Sequence, residues 1–204
     1  MEKFQQTRDL VKYSLKYISG KTLDLGAGSA KYRNIIKEKA SEYITFDVVP
    51  GEHIDVVGDA LNLPFGNDSF DTIISTEVLE HVEKPWLMVK EIRRVLKPGG
   101  VCILSTPFLI PYHPDPHDYF RYTTEGLRSL FKNENFEVLE CEGFGKVFSV
   151  LSEFIRMSWF SPYKKQKRGS WRITRLMEKT SNFLNKFSKN KTIYVNVYII
   201  ARKV

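Results

Sequence analysis

The stretch "TLDLGAGSAKY", Thr22 to Tyr32, decides the fold. A β-favouring lead runs into Asp24, Gly26 and Gly28, and Tyr32, Ile35 and Ile36 then recur at helical spacing. That order reads as strand, glycine turn, helix. Glycines let the backbone approach a ligand closely, and the start of the following helix points N–H groups toward it.

Working outward, the same alternation repeats. Apolar strand-like runs are expected at about 22–25, 43–47 ("YITFD"), 54–57 ("IDVV"), 71–75 ("DTIIS"), 101–105, 136–141 and 192–201. Helical periodicity is expected at 2–19, ending at Gly20, and at about 29–39, 85–96 and 124–132. Pro85 suits a helix start, and Pro98-Gly99-Gly100 suits a turn out. Apolar strands alternating with amphipathic helices predict an α/β, doubly wound, Rossmann-like sheet, mostly parallel, with helices on both faces. Ligands of such sheets lie at the carboxyl ends of the strands. No internal repeat is visible, so residues 1–204 read as a single domain with a basic helical elaboration at about 144–190 between the last two strands.

Composition narrows the class. Hydrophobic residues are 42% and charged residues 27%, ordinary for a soluble globular chain. The start lacks the continuous apolar stretch of a signal peptide, and no apolar run approaches the roughly 18 residues that span a bilayer. Cys102 and Cys141 sit in strand-like segments and read as buried thiols in a reducing compartment. A cytoplasmic protein is expected, with peripheral membrane contact open through its basic part. The net charge of +7 is uneven: Arg156 to Lys191 carries eleven Lys/Arg against Glu178, or +10, and the rest of the chain is −3.

The glycine turn departs from a nicotinamide-binding pattern, because Lys31 stands where G-x-G-x-x-G needs its third glycine. The acid two residues before Gly26 would repel a pyrophosphate and would favour a cationic ligand. Asp47 ends the second strand, where a carboxylate can accept both hydroxyls of a ribose. Gly58-Asp59-Ala60 ends the third, where a carboxylate and neighbouring N–H groups can read an adenine edge. Three acids at three successive strand ends suit an adenosine with a cationic tail. Taken singly, Asp24 could instead cap its turn, and Asp59 could be a solvated loop acid.

The ordered set LDLGAGSAKY, the acid of TFDVV, and GDALNLPFGNDSFDTIISTEVLEHVEKPWLMVKEIRRVLKPGGVCILSTP, over about residues 22–107, resembles the class I S-adenosylmethionine-dependent methyltransferases, specifically the type 11 group. The resemblance implies S-adenosyl-L-methionine as cofactor and S-adenosyl-L-homocysteine as product. It implies that Asp24, Gly26 and Gly28 line the methionine end and that Asp47 holds the ribose. It further implies that Asp59 and Ala60 contact adenine and that Glu77 sits near the cofactor. Ala30 stands where the family often has a third glycine. The family topology adds a seventh, antiparallel strand beside strand 5, and Thr192–Ala201 is similar to it. His81 in "EVLEHV" is expected to cap a helix or pack beside the pocket.

Candidates for proton removal cluster in "STPFLIPYHPDPHDYFRYTTEGL". His113, Asp115, His117, Asp118 and Tyr119 share one loop stiffened by Pro111, Pro114 and Pro116. His117 is the favoured base, with His113 the alternative and Asp118 near enough to orient either; Asp118 could equally pair with Arg121 and only order the loop. The four-residue spacing of the two histidines would suit metal ligands on a helix, but the prolines forbid a helix, so no metal site is expected. Type 11 enzymes acting on sugars and other small polar metabolites look similar through the "DYFRYT" run. The expected acceptor is therefore a small molecule or a glycan- or lipid-linked group, methylated at oxygen. RNA methylation and a non-catalytic cofactor-binding partner subunit are the rival readings.

The basic segment presents Ile173, Leu176, Met177, Thr180, Phe183, Leu184 and Phe187 on one helical face. Arg172, Arg175, Lys179, Lys186 and Lys189 lie opposite. Either the apolar face packs into the core, or the segment of about 156–191 lies on an anionic membrane or a phosphate-bearing acceptor. Nucleic acid ranks third, because no recognition motif accompanies the charge.

Overall fold

The computed structural model describes residues 4–159, 170–189 and 192–204. Seven strands form one sheet in the order β3-β2-β1-β4-β5-β7-β6: β1 Lys21–Leu25, β2 Glu42–Asp47, β3 Val56–Val57, β4 Phe70–Thr76, β5 Leu96–Pro107, β6 Phe136–Phe144 and β7 Asn196–Lys203. The first five strands pair in parallel, and β7 runs antiparallel to both β5 and β6. This is the doubly wound sheet that the alternation predicted, with the last strand reversed.

Helices α1 Thr7–Ser14, α2 Arg33–Ile36, α3 Pro85–Val95, α4 Thr124–Asn133, α5 Val147–Trp159 and α6 Ser170–Asn185 surround it. Pro85 opens α3 as its first residue, and Thr123 caps α4 by accepting from the Gly126 N–H. Helix α2 is a single turn where the periodicity predicted eleven residues. Gly28 and Ala30 take φ of +54° and +50°, so the chain is still in its turn at Ala30 and the helix starts late. Helix α1 likewise occupies only the middle of its predicted span.

Burial explains why the central strands read so clearly. Leu23, Leu25, Ile73, Cys102 and Leu104 pack with Met88, Ile92, Leu127 and Phe131 of α3 and α4 on one face. Ile74, Ile103, Tyr198 and Ile200 pack with Leu10, Val11 and Ile36 on the other. Strands covered on both faces cannot alternate with water-facing residues, so they appear as unbroken apolar runs. Cys102 and Cys141 are free, buried thiols, as expected.

One carboxylate ties the two ends of the chain. Glu140 on β6 accepts from the hydroxyls of Tyr13 in α1 at 2.8 Å, of Tyr17 just past that helix at 2.7 Å, and of Tyr198 on β7 at 3.0 Å. Hydrogen bonds to a charged acceptor contribute about 1.5–3 kcal/mol each, and loss of a shared partner leaves several donors unsatisfied. Replacing Glu140 by alanine is expected to lower stability by about 2–4 kcal/mol. Chemical denaturation checks the magnitude, and amide exchange should show α1 losing protection before the central strands do.

Candidate active site

The site is built where the chain order reverses. Strand β1 pairs with β2 on one side and β4 on the other, so the loops that follow them diverge above the carboxyl edge. Between those loops lies a cavity of about 590 Å³. Its wall comes from the turn after β1 (Gly26, Gly28), the end of β2 (Asp47), the loop after β3 (Asp59, Ala60) and the segment after β4 (Glu77, His81). Six of the seven residues expected to bind the cofactor therefore line one chamber.

Glycine at position 26 is required twice. Its φ of +76° is left-handed, and a Cβ there would lie 2.2 Å from Cγ2 of Val78. At Gly28, φ is +54° but a Cβ would meet nothing within 4 Å, because it would point into open space. The Gly28 N–H donates to Asp47 Oδ2 at 2.8 Å, and the Val49 N–H donates to Oδ1 at 3.0 Å. Asp47 thus fastens the turn after β1 to the end of β2. Glu77 is also left-handed, at φ +57°, and its N–H donates to the Ser105 carbonyl at 2.9 Å. A non-glycine residue held in that region costs free energy and marks a constrained site. Burial, followed by the neighbouring Glu80 carboxylate, raises the pKa of Glu77, while the Ser105 hydroxyl donates to it at 2.6 Å.

Asp24 is the seventh residue, and it stands behind the turn rather than in the cavity wall. Its carboxylate is buried and accepts from the Tyr43 hydroxyl at 2.5 Å. Burial raises its pKa to about 6, against the opposing pull of the Tyr43 hydrogen bond and Lys31. Its partner is on β2 rather than in the turn, so the hydrogen bond ties β1 to β2 beneath the cavity.

The proline-rich loop folds back over the short 3₁₀ turn Leu79–His81, because the N–H groups of Tyr119 and Phe120 both donate to the Glu80 carbonyl. None of the expected catalytic trio, His117, His113 and Asp118, is part of the cavity wall; from the same loop, Asp115, Pro116 and Tyr119 are. His117 is exposed; its ring packs against that of Tyr119, with centroids 5.4 Å apart, and its carbonyl lies 2.5 Å from Nδ1 of His81. The Asp118 carboxylate is buried, pairs with both Nη atoms of Arg121 and accepts the His113 N–H. Burial opposes ionisation of Asp118, but Arg121 and the His113 N–H outweigh it and hold the pKa at about 2. The loop-ordering role is therefore present in full. His113 points the other way, toward Glu80, whose carboxylate together with that of Asp118 raises the histidine's pKa.

Glu80 is the residue the sequence reasoning passed over; its neighbour His81 was expected only to cap a helix or pack beside the pocket. Glu80 is fully buried; Oε2 accepts from Thr106 at 3.2 Å, and Oε1 has no hydrogen-bond partner. His81 lines the cavity. The run Glu77-Val-Leu-Glu80-His81 just past an apolar strand was the available signal: two acids and a histidine at a strand's carboxyl end.

With this geometry in place, comparison with known proteins is decisive for one region. A family described as "Methyltransferase domain" matches residues 23–104. Over those residues, about two-fifths of the chain, the protein is similar to that family. An uncharacterized methyltransferase of Mycobacterium leprae is 33% identical over 103 residues, which is 44% of this chain and 38% of that relative. This chain thus aligns with well under half the length of that relative. Among solved structures, a putative methyltransferase from Bacillus halodurans superposes with a TM-score of 0.63 at 18% identity, covering 96% of this chain and 99% of the other. Phosphoethanolamine N-methyltransferase 2 of Haemonchus contortus, solved in complex with S-adenosyl-L-methionine, gives 0.63 at 17% identity, covering 97% and 52%. At such identities the structures show the shared fold. The methyltransferase domain match ends at residue 104, so the proline-rich loop lies beyond it.

The basic elaboration differs from a core-packing helix. Helix α6 is fixed by its polar residues: Asn185 is buried and donates to Gln5 and to Ser149, and Phe148 donates to its side-chain oxygen. The apolar face stays outside, with Leu176 65% and Phe187 70% exposed and Ile173, Phe183 and Leu184 also exposed. Phe160, Lys164, Lys165, Lys167 and Arg168 lie outside the described residues. No helix among the described residues is long and apolar enough to cross a membrane.

The buried Asp24 gives the protein a testable pH signature. Because its folded pKa is raised, its stabilising contribution is complete below the unfolded value near 4 and is lost as pH rises through about 6. Asp24→Asn removes this titration. The stability of the variant relative to the parent should therefore climb by up to about 3 kcal/mol between about pH 4 and pH 7, as read by denaturant titration at each pH. A constant difference across that range would place an ionised Asp24 at no cost.

Proposed function

We propose that this protein transfers a methyl group from S-adenosyl-L-methionine to a hydroxyl of a small or glycan-type acceptor. The observation that supports this most is the convergence of Gly26, Gly28, Asp47, Asp59, Ala60 and Glu77 on one cavity at the β1/β4 reversal. The donor set fits the cofactor. Asp47 offers a carboxylate at the end of β2 for ribose hydroxyls, and the open space beside Gly28 leaves room for a ligand against the turn. Asp59 and the Ala60 backbone are placed for an adenine edge. Glu77 and, behind the turn, Asp24 supply negative charge where a ligand carries an ammonium and a sulfonium.

When bound, the cofactor supplies an activated methyl on sulfur, and direct displacement leaves the protein to align the acceptor and to take its proton. Tyr119, Asp115 and Pro116 wall the acceptor side of the cavity. His81 lines the same cavity and, in the metal-free protein, its ring nitrogen is the one proposed to receive the proton. Oxygen is the proposed acceptor atom because a hydroxyl must surrender its proton as it attacks; an ammonium acceptor would call on the same base, and the acceptor assay below separates the two.

Asp47→Ala should keep the fold and weaken S-adenosylhomocysteine binding about ten- to a hundredfold by calorimetry, from the loss of hydrogen bonds worth about 1.5–3 kcal/mol. Transfer of labelled methyl groups into a lysate fractionated into glycan, lipid, protein and RNA then tests the acceptor class. Label confined to RNA would sink the hydroxyl-metabolite reading, and cofactor binding with no transfer to any fraction would leave a binding subunit.

A second reading concerns location. The exposed apolar face of α6, preceded in the sequence by Lys164, Lys165, Lys167 and Arg168, supports peripheral contact with an anionic membrane, where each basic residue contributes up to about 1 kcal/mol within a Debye length of roughly 8 Å. The full chain should sediment with anionic vesicles in a salt-sensitive manner and not with neutral ones. Changing Lys164, Lys165, Lys167 and Arg168 to glutamine should abolish it. Equal binding to both vesicle types, or to neither, rules the contact out.

A further inference from the structure

Glu80, His81 and His113 come from two loops and meet at one point. Nε2 of His81 lies 3.6 Å from Glu80 Oε1, and Nε2 of His113 lies 3.8 Å from the same oxygen. Among the described residues these three are the group able to direct one ligand atom each to a common centre, all within 4.8 Å of one another. The separations are too long for hydrogen bonds. They approach the spacing of two ligands on one tetrahedral ion: bonds of about 2.0–2.2 Å set neighbouring ligands roughly 3.4 Å apart.

Three further features point to a bound ion. Glu80 Oε1 is fully buried with no hydrogen-bond partner, an expensive arrangement for a carboxylate oxygen without a cation. Both imidazoles have partners at their far nitrogens: Nδ1 of His81 lies against the His117 carbonyl, and Nδ1 of His113 lies near the Pro111 carbonyl (3.2 Å), Asp118 Oδ2 (3.4 Å) and Arg121 Nη2 (3.3 Å), the two carbonyls being the acceptors that a ligating histidine needs. That outer shell fixes a ligating histidine's tautomer and raises its basicity. Finally, Thr106 donates to the other oxygen of Glu80, leaving Oε1 free to ligate.

We propose that Glu80, His81 and His113 bind one divalent transition-metal ion of the zinc class at the wall of the cavity. Two imidazoles and one carboxylate suit Zn²⁺ and related ions, whereas Mg²⁺ and Ca²⁺ take oxygen ligands. Three protein ligands leave a fourth position for water or for an oxygen of the acceptor, and an oxygen so held loses its proton more readily. Only that use rests on the methyltransferase reading; metal binding stands without it. The prolines that forbid a helix at 111–117 exclude His113 and His117 as a pair, and the partner of His113 is instead His81, 32 residues earlier.

The test needs no methyl transfer. Full-length protein freed of metal by a chelator is titrated with Zn²⁺ against a chromophoric competitor, and Co²⁺ serves as the spectroscopic probe. One equivalent should bind, with the visible spectrum of four-coordinate Co²⁺, and Zn²⁺ should raise the melting temperature. Glu80→Gln and His113→Ala should each weaken binding at least about a hundredfold, while His117→Ala and His53→Ala leave it unchanged. If a ligand variant does not fold, X-ray absorption of the parent decides: two imidazole nitrogens around the ion support the site, and an oxygen-only shell overturns it. The absence of a saturable single equivalent, or binding that follows His53 or His117, likewise overturns it.

Discussion

The whole carboxyl edge depends on how closely the turn after β1 approaches the segment after β4. Gly26 sits so near Val78 that no side chain fits between them, and it does so in a left-handed conformation. Across that contact, Glu77 is also left-handed and is anchored to Ser105 on β5. The parallel pairing of β1 with β4 brings these loops together, while the pairing of β1 with β2 carries Asp47 to the far side. The cavity is what remains when three strand ends are fixed and their loops are forced apart. Its shape is a property of backbone geometry first and of side chains second.

The charges placed around this cavity share a sign. Asp47, Asp59 and Glu77 line it, Asp24 lies beneath and Glu80 lies behind. Burial raises Asp24 and Glu77, so part of this negative charge is suppressed until a cation arrives. The protein body therefore meets a positively charged ligand or ion with carboxylates already desolvated and held in place. This arrangement costs stability in the empty protein and strengthens interaction with the right occupant.

The architecture was legible because its signals are local. Apolar runs such as "DTIIS" lie on strands covered from both sides, and Pro85 marks the start of α3 where a missing N–H costs nothing. The residues that line the cavity were legible for the same reason, since each lies at or just past the end of its strand. Helix α2 was overread because periodicity carries no information on where a glycine turn stops, and Ala30 is still in that turn. The exposed face of α6 was ambiguous because an amphipathic pattern states that a face is apolar but not what covers it. Glu80, His81 and His113 could not be assembled from sequence at all. Their meeting depends on the loop of residues 108–123 folding back so that Tyr119 and Phe120 bond to the Glu80 carbonyl, a contact spanning about 40 residues.

The position of β7 carries a consequence for biosynthesis. Strand β6 hydrogen-bonds within the sheet only to β7, and β7 is also the neighbour of β5. During translation the ribosome therefore releases β6 some fifty residues ahead of the strand it pairs with, and β5 stands as an open, apolar edge through the synthesis of nearly ninety intervening residues. The sheet can close only after residues 196–203 have left the exit tunnel. Until then the nascent chain is a substrate for chaperones and a hazard for edge-to-edge association, so the rate at which the basic elaboration is translated sets how long that exposure lasts.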